Sequence, residues 1–502
     1  MKKSTRDTLV KIHKWLGLTA GLWLFVLGAT GVLLDRHESR FLNQTTVPID
    51  VLSDPVKRLV PVSVMRQLIG DADNPNRMVG ASWRGMWRTE DGGDSWVAVA
   101  FAGYRGGTPQ VYSLLADPAG GIDRSWIATD DGLWQLQQGQ AVRVAFAGKS
   151  LQSLSQLANT SVLIGVIERT NLFTLDSAQA EFSPRSLTIA DVDAMSRDSI
   201  GLGRYLLGIH VGAGLLPEPW GIYLNDLGGI AFMVLAITGF LYWFFPRYWK
   251  KRRGTGGLFS KHKGTTLRVI YRSHAPILGI MAALPIFYLS ATALFANHAT
   301  ELFQPVSKID VPSALIPPGF SQFGLAGEIQ QVVGDPVNAE RIYVATRAGI
   351  YSSDNLGKSW QVMTDQPINT FEIGGLSTFF RVDGALFLGV TVGKNFVKLP
   401  NEESWRPLVG PFTSVSSGFS SADAYYLRNS QGVFVGNPAV ELVKSAIKSP
   451  QLEGAPLFLL LTDIHIGFIM STQFKWVNDF VALLALGLVL SGLFMWWSKK
   501  WI

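Results

Sequence analysis

Histidine is the residue type whose spacing in this chain indicates chemistry. The chain has 502 residues and seven histidines, and six of the seven occupy repeated patterns. His13 and His37 bracket one apolar run, and His274 and His298 bracket a second at the same separation of 24 positions. His210 and His465 each lie in an Ile-His-x-Gly sequence shortly before a further apolar run.

Imidazoles in repeat-related positions favour ligation of a metal. Neutral imidazole nitrogen binds iron, and haem takes axial histidines. Helical bundles hold such cofactors between side chains of facing helices. Zinc is an alternative, but it usually recruits acids or closely spaced histidines, and only Asp35, Glu38 and Glu301 lie near these positions. A second alternative is that the histidines are ligand-free residues at the membrane faces.

The absence of cysteine limits the redox chemistry that the chain can perform. It excludes disulfides, covalent c-type haem and thiolate-held iron–sulfur clusters. The sequence also lacks a P-loop and a convincing dinucleotide-binding βαβ unit. We therefore expect a separate electron donor, either a quinol or a cytoplasmic reductant, and no nucleic-acid partner.

Four apolar stretches, at about 14–35, 221–246, 275–296 and 476–498, are long enough to cross a membrane. About 20 helical residues span the roughly 30 Å of bilayer hydrocarbon. The first stretch could instead be a cleaved signal peptide, but its apolar run is too long and no small-residue cleavage site follows. We expect four transmembrane helices, with His13 and His37 near opposite faces.

Basic residues predict the orientation of these helices. They cluster in three segments and are listed here: Lys2, Lys3, Arg6, Lys11 and Lys14 at the start, Arg247, Lys250, Lys251, Arg252, Arg253, Lys261, Lys263, Arg268 and Arg272 in the middle, and Lys499 and Lys500 at the end. The positive-inside rule places both termini and the middle loop in the cytoplasm. The predicted segments are 1–37, 38–209, 210–246, 247–273, 274–298, 299–464 and 465–502, of which 38–209 and 299–464 are periplasmic.

The two periplasmic insertions contain an internal repeat. Residues 67–96 align without a gap to 331–360, at a constant offset of 264 positions. Thr89 to Trp96 resembles the Asp-box turn of sialidase-like and YCF48-like propeller blades, and the later copy has Asn355 at the aspartate position. Such turns are structural, so they do not indicate a glycosidase.

Weaker β-rich units follow each repeat, at 110–147 and 151–187 and again at 368–408 and 412–445. Three units per insertion predict an all-β domain, a six-bladed propeller assembled from both insertions. A half-propeller would expose unpaired strand edges, which favours one shared ring. The alternative is two separate β-rich domains.

The membrane part is an internally duplicated α-helical bundle in this interpretation. Each half consists of a helix, an outer β insertion and a second helix, so a pseudo-twofold axis along the membrane normal should relate the halves. Each predicted span carries a pair of small residues: Thr30-Gly31, Thr238-Gly239, Ala291-Thr292 and Ser491-Gly492. These pairs could serve close helix packing or provide clearance for a flat macrocycle.

The helical motifs together resemble the PepSY-associated transmembrane family. The residues concerned are His13-Lys14-Trp15-Leu16-Gly17, the two Ile-His-x-Gly elements, and the Thr-Gly and Ser-Gly pairs near the ends of the spans. The resemblance covers the four helices and their flanks, a quarter to a third of the chain. The third span departs from the pattern, because the residues after His274 are Ala275 and Pro276. Propeller-type blades also replace the small outer domains of the family.

The resemblance implies a b-haem protein of the inner membrane that reduces ferric siderophores. His13 and His274 would then hold an inner haem, and His37, His298, His210 and His465 would hold one or two outer haems, in pairings that stay open. His262 has no repeat partner and is interpreted as solvated. We therefore expect a ferric-chelate reductase with two haems b, or three. The alternatives are a haem electron-transfer subunit for a periplasmic partner and a propeller sensor or scaffold without redox activity.

Overall fold

The computed structural model describes most of the chain. The described residues are 3–179, 185–187, 199–217, 219–251, 263–321, 329–346, 349–363, 365, 367, 376–390, 395–400, 402–409, 414–422 and 424–499. Arg252, Arg253, Lys261 and His262, which the sequence places in the basic middle loop, lie outside the described residues.

The α-helices of the described residues fall at both ends and in the middle of the chain. They are α1 (Lys3–Leu34), α2 (Arg40–Gln44), α3 (Asp54–Lys57), α4 (Val60–Val64), α5 (Leu202–His210), α6 (Trp220–Lys251), α7 (Lys263–Arg272), α8 (Gly279–Met281), α9 (Ala283–Ala296), α10 (Ala299–Val306), α11 (Pro318–Ser321), α12 (Leu457–Ile466) and α13 (Lys475–Lys499). A π-helical turn, Ser273–Leu278, joins α7 to α8.

Three of the described helices are long and apolar enough to cross a membrane, within Ser4–Leu34, Trp220–Lys250 and Thr472–Ser498. The helix pair Gly264–Met281 and Ala283–Ala296 bends by 64°, and it adds a fourth crossing if the pair forms one span. The bend follows the π-helical turn that contains Pro276. Proline lacks the N–H that an α-helix needs at this point.

The long helices pack through small residues. Helix α1 contacts α6 and α13, and α9 contacts α6 and α13. Ala20, Leu24, Val481 and Ala485 form a buried cluster between α1 and α13. Between α1 and α6 the backbones approach so closely that a methyl group on Gly28 would lie 2.5 Å from a backbone oxygen of α6.

The strands of the first insertion are short and antiparallel. They are β1 (Thr46–Val47), β2 (Gln67–Gly70), β3 (Met78–Ser82), β4 (Gly85–Thr89), β5 (Val97–Ala98), β6 (Val111–Asp117), β7 (Gly121–Thr129), β8 (Gly132–Gln137), β9 (Gln140–Ala145), β10 (Leu151–Gln156), β11 (Val162–Ile167), β12 (Asn171–Asp176), β13 (Arg185–Leu187) and β14 (Ser199–Gly201).

The second insertion has a corresponding set. Its strands are β15 (Asp310–Pro312), β16 (Ile329–Gly334), β17 (Ile342–Thr346), β18 (Ile350–Ser353), β19 (Gln361–Val362), β20 (Leu376–Val382), β21 (Ala385–Val390), β22 (Phe396–Lys398), β23 (Arg406–Pro407), β24 (Ser417–Ser421), β25 (Ala424–Asn429), β26 (Gly432–Asn437), β27 (Glu441–Lys444) and β28 (Ala455–Pro456).

Most of these strands form four-stranded antiparallel sheets that resemble propeller blades. In chain order the sheets are sheet 1 (β2–β5), sheet 2 (β6–β9), sheet 3 (β10–β13), sheet 4 (β16–β19), sheet 5 (β20–β23) and sheet 6 (β24–β27). Two further pairs, β1 with β28 and β14 with β15, join the first insertion to the second. Apolar clusters fill the space between neighbouring sheets, for example between sheets 3 and 4.

The first strands of the sheets contact one another in a cycle: β2 with β6, β6 with β10, β10 with β16, β16 with β20, β20 with β24, and β24 with β2. Side-chain hydroxyls tie several of these neighbours. Ser113 Oγ accepts from the N–H of Leu154, and Ser417 Oγ accepts from the N–H of Leu68. We call this arrangement the sheet ring, and strands of both insertions contribute to it.

The aligned repeats have the same local structure. In the first copy the Asp91 carboxylate accepts from the N–H of Ser95 at 2.9 Å, closing the turn between β4 and β5. In the second copy the side-chain oxygen of Asn355 accepts from the N–H of Ser359 at the same distance. An amide oxygen therefore replaces the carboxylate without loss of the turn.

Candidate functional site: two histidine pairs in the bundle

His13 and His274 meet at the end of the bundle where α1 begins and α13 ends, which we call the inner end. His13 lies on α1, and His274 lies in the π-helical turn. Their ring centres are 6.2 Å apart and the ring planes cross at 87°. The two halves of the chain therefore contribute one imidazole each to a single location, as the sequence predicts.

A hydroxyl group on another long helix contacts each of these rings. His13 Nδ1 lies 2.9 Å from Ser491 Oγ on α13. His274 Nδ1 lies 2.9 Å from Thr238 Oγ1 on α6. The contacts are related by the duplication, because α1 and the π-helical segment occupy equivalent places in the two halves, as do α6 and α13.

His210 and His465 form the corresponding outer pair. His210 ends α5 and His465 lies in the last turn of α12, each on a short helix that precedes a long one. His210 Nδ1 lies 3.1 Å from Thr292 Oγ1, and His465 Nδ1 lies 2.8 Å from Thr30 Oγ1. Thr292 near the end of α9 and Thr30 near the end of α1 thus hold the two imidazoles at the end of the bundle away from His13 and His274.

The four hydroxyl groups have a common geometry that fixes the tautomer of each histidine. Each donates its one hydrogen to the carbonyl four residues earlier: Ser491 to Gly487 at 2.7 Å, Thr238 to Val234 at 2.6 Å, Thr292 to Tyr288 at 2.7 Å and Thr30 to Val26 at 2.8 Å. With that hydrogen given to the carbonyl, the hydroxyl oxygen is placed to accept from the imidazole, and we assign the proton to Nδ1 on this basis. Nε2 keeps its lone pair, which is the atom that binds a metal in such an arrangement.

A glycine follows three of the four hydroxyl residues and lies near the histidine ring. A methyl group on Gly239 would lie 3.2 Å from His274 Cε1. On Gly31 and on Gly492 it would lie 3.5 Å from the Cε1 atoms of His465 and His13. Since the first distance is tight and the other two are ordinary contact, glycine provides room for the ring chiefly at Gly239. The small-residue pairs thus have a direct role that neither sequence interpretation proposed.

The backbone of each outer histidine is held by an asparagine, which an aromatic N–H or O–H holds in turn. In the first half, Asn225 Nδ2 donates to His210 O at 2.7 Å, and Tyr288 Oη donates to Asn225 Oδ1 at 2.6 Å. In the second half, Asn478 Nδ2 donates to His465 O at 3.2 Å, and Trp23 Nε1 donates to Asn478 Oδ1 at 2.6 Å. The support of the outer pair therefore repeats in the two halves as well.

His37 and His298 have different surroundings. His37 is 51% exposed, and its Nε2 is 3.9 Å from the carboxylate of Glu38. His298 Nε2 lies 2.7 Å from Asp479 Oδ2, and the ring packs on Trp476 with centres 4.9 Å apart. A carboxylate thus contacts Nε2 of His298, and among the described residues no hydroxyl group contacts Nδ1 of His37 or His298.

The π-helical turn explains why His37 and His298, which have matching spacings in the sequence, are not equivalent residues in the structure. His274 follows His13 by 261 positions, whereas Thr292 follows Thr30 by 262, because a π-helical turn inserts one residue into the helix. The counterpart of His298 is therefore Arg36. Arg36 donates two hydrogen bonds to Asp226, at 3.0 and 2.6 Å, and His298 contacts the equivalent Asp479.

The His13–His274 pair fits the axial ligands of haem, and the outer pair repeats its hydroxyl contacts. Imidazole nitrogen binds metals at about 2 Å, so two rings on opposite sides of one metal atom have centres about 6 Å apart. The inner pair has this separation. Within the described residues, no group of three or more His, Cys, Asp or Glu side chains could hold a metal ion. Pairs suit haem, which needs two axial ligands, better than zinc, which takes three or four protein ligands.

The fold and the site define a class: a duplicated helical membrane protein with histidine pairs at two depths and blade-like sheets outside the bundle. The sequence matches the family of the PepSY-associated TM region over residues 10–499. The chain therefore belongs to this transmembrane family, as its motifs predict. A comparison with curated proteins finds no match.

Solved structures with similarity to this chain include proteins built of repeated sheets. YCF48 bound to D1 peptide has 11% identity and a TM-score of 0.33, with 77% of this chain and 79% of that chain covered. The RRP9 WD40 repeats have 10% identity and a TM-score of 0.33, with coverages of 76% and 79%. An ancestral GH74 enzyme has 10% identity and a TM-score of 0.35, and the match covers 75% of this chain and 37% of that enzyme.

Proposed function

We propose that this transmembrane protein binds two non-covalent b-type haems and transfers electrons across the bacterial inner membrane to ferric iron in a periplasmic chelate. The proposal includes four membrane spans, cytoplasmic termini and a six-bladed propeller made by both insertions. One observation carries it: four histidines, in two pairs, each place Nδ1 against a hydroxyl group, and Nε2 of each has no hydrogen bond within the described residues.

The ligand assignment is His13 with His274 for the inner haem and His210 with His465 for the outer haem. Haem, when bound, supplies reversible exchange of one electron. The hydroxyls of Ser491, Thr238, Thr292 and Thr30 orient the four rings. Such outer-shell partners also raise the basicity of the ligating nitrogen.

The depth of the outer pair supports electron delivery across the bilayer. His13 and His37 are separated by about 36 Å of helix, which is long for one electron-transfer step. The outer pair instead lies at the level of Thr30, to which His465 bonds. His13 and Thr30 are 17 residues apart on α1, or about 25 Å, and a macrocycle between each pair would shorten the gap further.

The electron donor must bind from outside the chain. The sequence has no cysteine for a cluster or a thiol cofactor, and it has no dinucleotide-binding unit. A quinol or a cytoplasmic reductant at the inner end of the bundle fits the position of the His13–His274 pair. The acceptor is a ferric siderophore or another ferric chelate at the outer end, beneath the sheet ring.

The test is an acceptor titration with purified protein. The reduced protein should show a low-spin b-type spectrum and release its pigment into acidified acetone. Under anaerobic conditions, added ferric chelate should reoxidise the haem while a ferrous-specific chelator captures one Fe²⁺ per electron. Haem that stays reduced with every ferric chelate, yet reoxidises promptly with a periplasmic protein, would replace this function by that of an electron-transfer subunit. Colourless protein would favour the sensor or scaffold.

A further inference from the structure

Arg66 is a cation without an anionic partner. The residue precedes β2, and its backbone N–H donates to Ala81 O. Its guanidinium lies 3.9 Å from the ring centre of Trp83. Within the part of the chain that the structure describes, the guanidinium makes no hydrogen bond or ion pair. Burial lowers the pKa of Arg66, and the attraction of Glu38 opposes that shift only in part.

The position of Arg66 follows from the topology of the sheet ring. In a four-stranded antiparallel sheet, the start of the first strand and the loop between the second and third strands lie at the same end. Trp83 and Arg84 form this loop in sheet 1, and Asp130 and Asp131 form it in sheet 2. We call this end of the sheet ring the bundle-facing mouth.

Three contacts identify the mouth as the end nearest the helices, and they are listed here. Arg169, in the equivalent loop of sheet 3, donates to both carboxylate oxygens of Glu38 at 2.7 and 2.9 Å, Arg40 pairs with Asp130 at 2.6 Å, and Arg84 donates to Gly454 O at 3.1 Å. Glu38 and Arg40 lie just beyond the outer end of α1, so the mouth faces that end of the bundle.

The acids near the mouth are already engaged by other cations. Glu38 is bound by Arg169, and Asp130 is bound by Arg40. The neighbouring aromatic ring of Tyr112 lies 6.2 Å from Trp83, and burial raises the pKa of Tyr112, so its phenol stays neutral. Arg66 is therefore left with an uncompensated positive charge. A partly buried cation of this kind is costly unless an anion joins it.

We infer that Arg66 binds the substrate of the proposed reductase, and that this substrate is a ferric chelate with negatively charged oxygen donors. Guanidinium forms charge-assisted, often bidentate, hydrogen bonds with anionic oxygens, which neutral chelates lack. The ligand occupies the bundle-facing mouth between Trp83 and the outer end of α1. Glu38 lies just beyond the end of α1, eight residues after Thr30, so the mouth faces the end of the bundle that holds the outer histidine pair. The identity of the ligand as substrate rests on the proposed function, but its binding does not.

The experiment measures binding without reduction. Gallium(III) citrate is a redox-inert probe of an anionic ferric chelate, and calorimetry with the full-length protein in detergent gives its dissociation constant. We expect Arg66→Gln to weaken binding about tenfold or more, since the charge-assisted contact is lost. Arg66→Lys should weaken binding by about threefold, because an ammonium group keeps the positive charge but cannot form the bidentate hydrogen bonds of a guanidinium. Metal-free citrate should bind at least about tenfold more weakly than the rigid complex.

The matched control is Arg341→Gln. Arg341 lies in the loop between β16 and β17, at the opposite end of the sheet ring, and is partly exposed in an ion pair with Asp354. Its loss should leave gallium citrate binding unchanged. Thermal unfolding identifies any variant that fails to fold, and if Arg66→Gln fails, the Arg66→Lys affinity decides.

Each result separates this inference from the proposed function. Wild-type affinity in a folded Arg66→Gln protein, no binding by the wild type, or equal binding of metal-free citrate would overturn the inference. If the wild type reduces ferric citrate under the same conditions, the proposed function still stands. Arg66-dependent gallium citrate binding without reduction of ferric citrate would support the binding site and contradict the reductase.

Discussion

The inner and outer ends of the bundle use the same histidine–hydroxyl contact but build it from different elements. At the inner end, His13 lies on a membrane-spanning helix and His274 in the bent helical segment, and hydroxyls on α13 and α6 hold them. At the outer end, His210 and His465 lie on short helices outside the long ones. Asparagines on the adjoining long helices fix the backbone of the outer pair.

The two histidine pairs therefore differ in how easily their ligands can move. An inner ligand cannot move without shifting a long packed helix, so that site is rigid. The short helices α5 and α12 follow directly after β14 and β28, which pair with β15 and β1 and so join the two insertions. A change in the sheet ring can therefore reach the outer pair more easily than the inner pair.

The largest expected effect is loss of one haem from either end. His13→Ala and His465→Ala should each reduce the haem content per chain by about half, because bis-histidine ligation fails when one axial ligand is absent. A pyridine haemochrome assay on purified protein measures this content. The comparison variants are His37→Ala and His298→Ala, which we expect to keep the full content.

A weaker effect should follow from removal of the supporting hydroxyls. Thr238→Val and Thr292→Val delete the acceptor for His274 and His210. Loss of such a partner typically lowers affinity for the bound metal group 10- to 100-fold, and haem transfer to an excess of apo-myoglobin measures it. Ser290→Ala is the control, since the buried Ser290 hydroxyl has no hydrogen-bond partner among the described residues. Equal haem loss in the control would contradict the role of the hydroxyls.

The helix contact that separates the two ends should be sensitive to volume. Gly28→Ala would place a methyl group 2.5 Å from Gly229 O and force α1 away from α6. We expect a destabilisation of about 1–3 kcal/mol, measured by denaturant titration in detergent. Gly21→Ala on the same helix meets nothing within 4 Å and should be neutral or stabilising. Similar losses in both variants would mean that helix propensity, rather than the close approach, sets the effect.

The smallest effect should come from the ion pair of Arg36 with Asp226, which corresponds to the contact of His298 with Asp479 in the second half. The bidentate contact of Arg36 with Asp226 involves a side chain that is 50% exposed. A double-mutant cycle of Arg36→Ala and Asp226→Ala should give a coupling free energy of about 0.5–1 kcal/mol. Haem content should not change in any member of the cycle. A drop in haem content would place this ion pair in the outer site.

The sequence predicts the parts of the molecule that depend on pattern. Apolar runs predict the long helices, and the repeat at 67–96 and 331–360 predicts matching strands and turns in sheets 1 and 4. The four histidines that pair were also among the predicted ligands. The sequence pairs His13 with His274, but it leaves the outer pairing open among His37, His298, His210 and His465, although His210 and His465 are equivalent residues too.

Other features could not be read from pattern alone. A π-helical turn adds one residue to a helix without changing its apolar pattern. The equal spacings therefore indicated that His298 is the counterpart of His37, whereas the contacts make it the counterpart of Arg36. The role of Thr30, Thr238, Thr292 and Ser491 depends on which hydroxyl faces which ring, which only the packed helices define. All four residues stand out in the sequence as members of small-residue pairs, but the sequence does not show which histidine each of them faces.

The most direct test of the central claim is electron transfer through the protein in sealed vesicles. A membrane-impermeant reductant is enclosed on the side of the termini, ferric citrate is added outside, and Fe²⁺ is captured outside. The account predicts Fe²⁺ formation by wild-type protein and its loss, by at least about tenfold, in both His13→Ala and His465→Ala, with His298→Ala unaffected. Equal Fe²⁺ formation by the wild type and His13→Ala, or none by a fully haem-loaded wild type, would contradict the account.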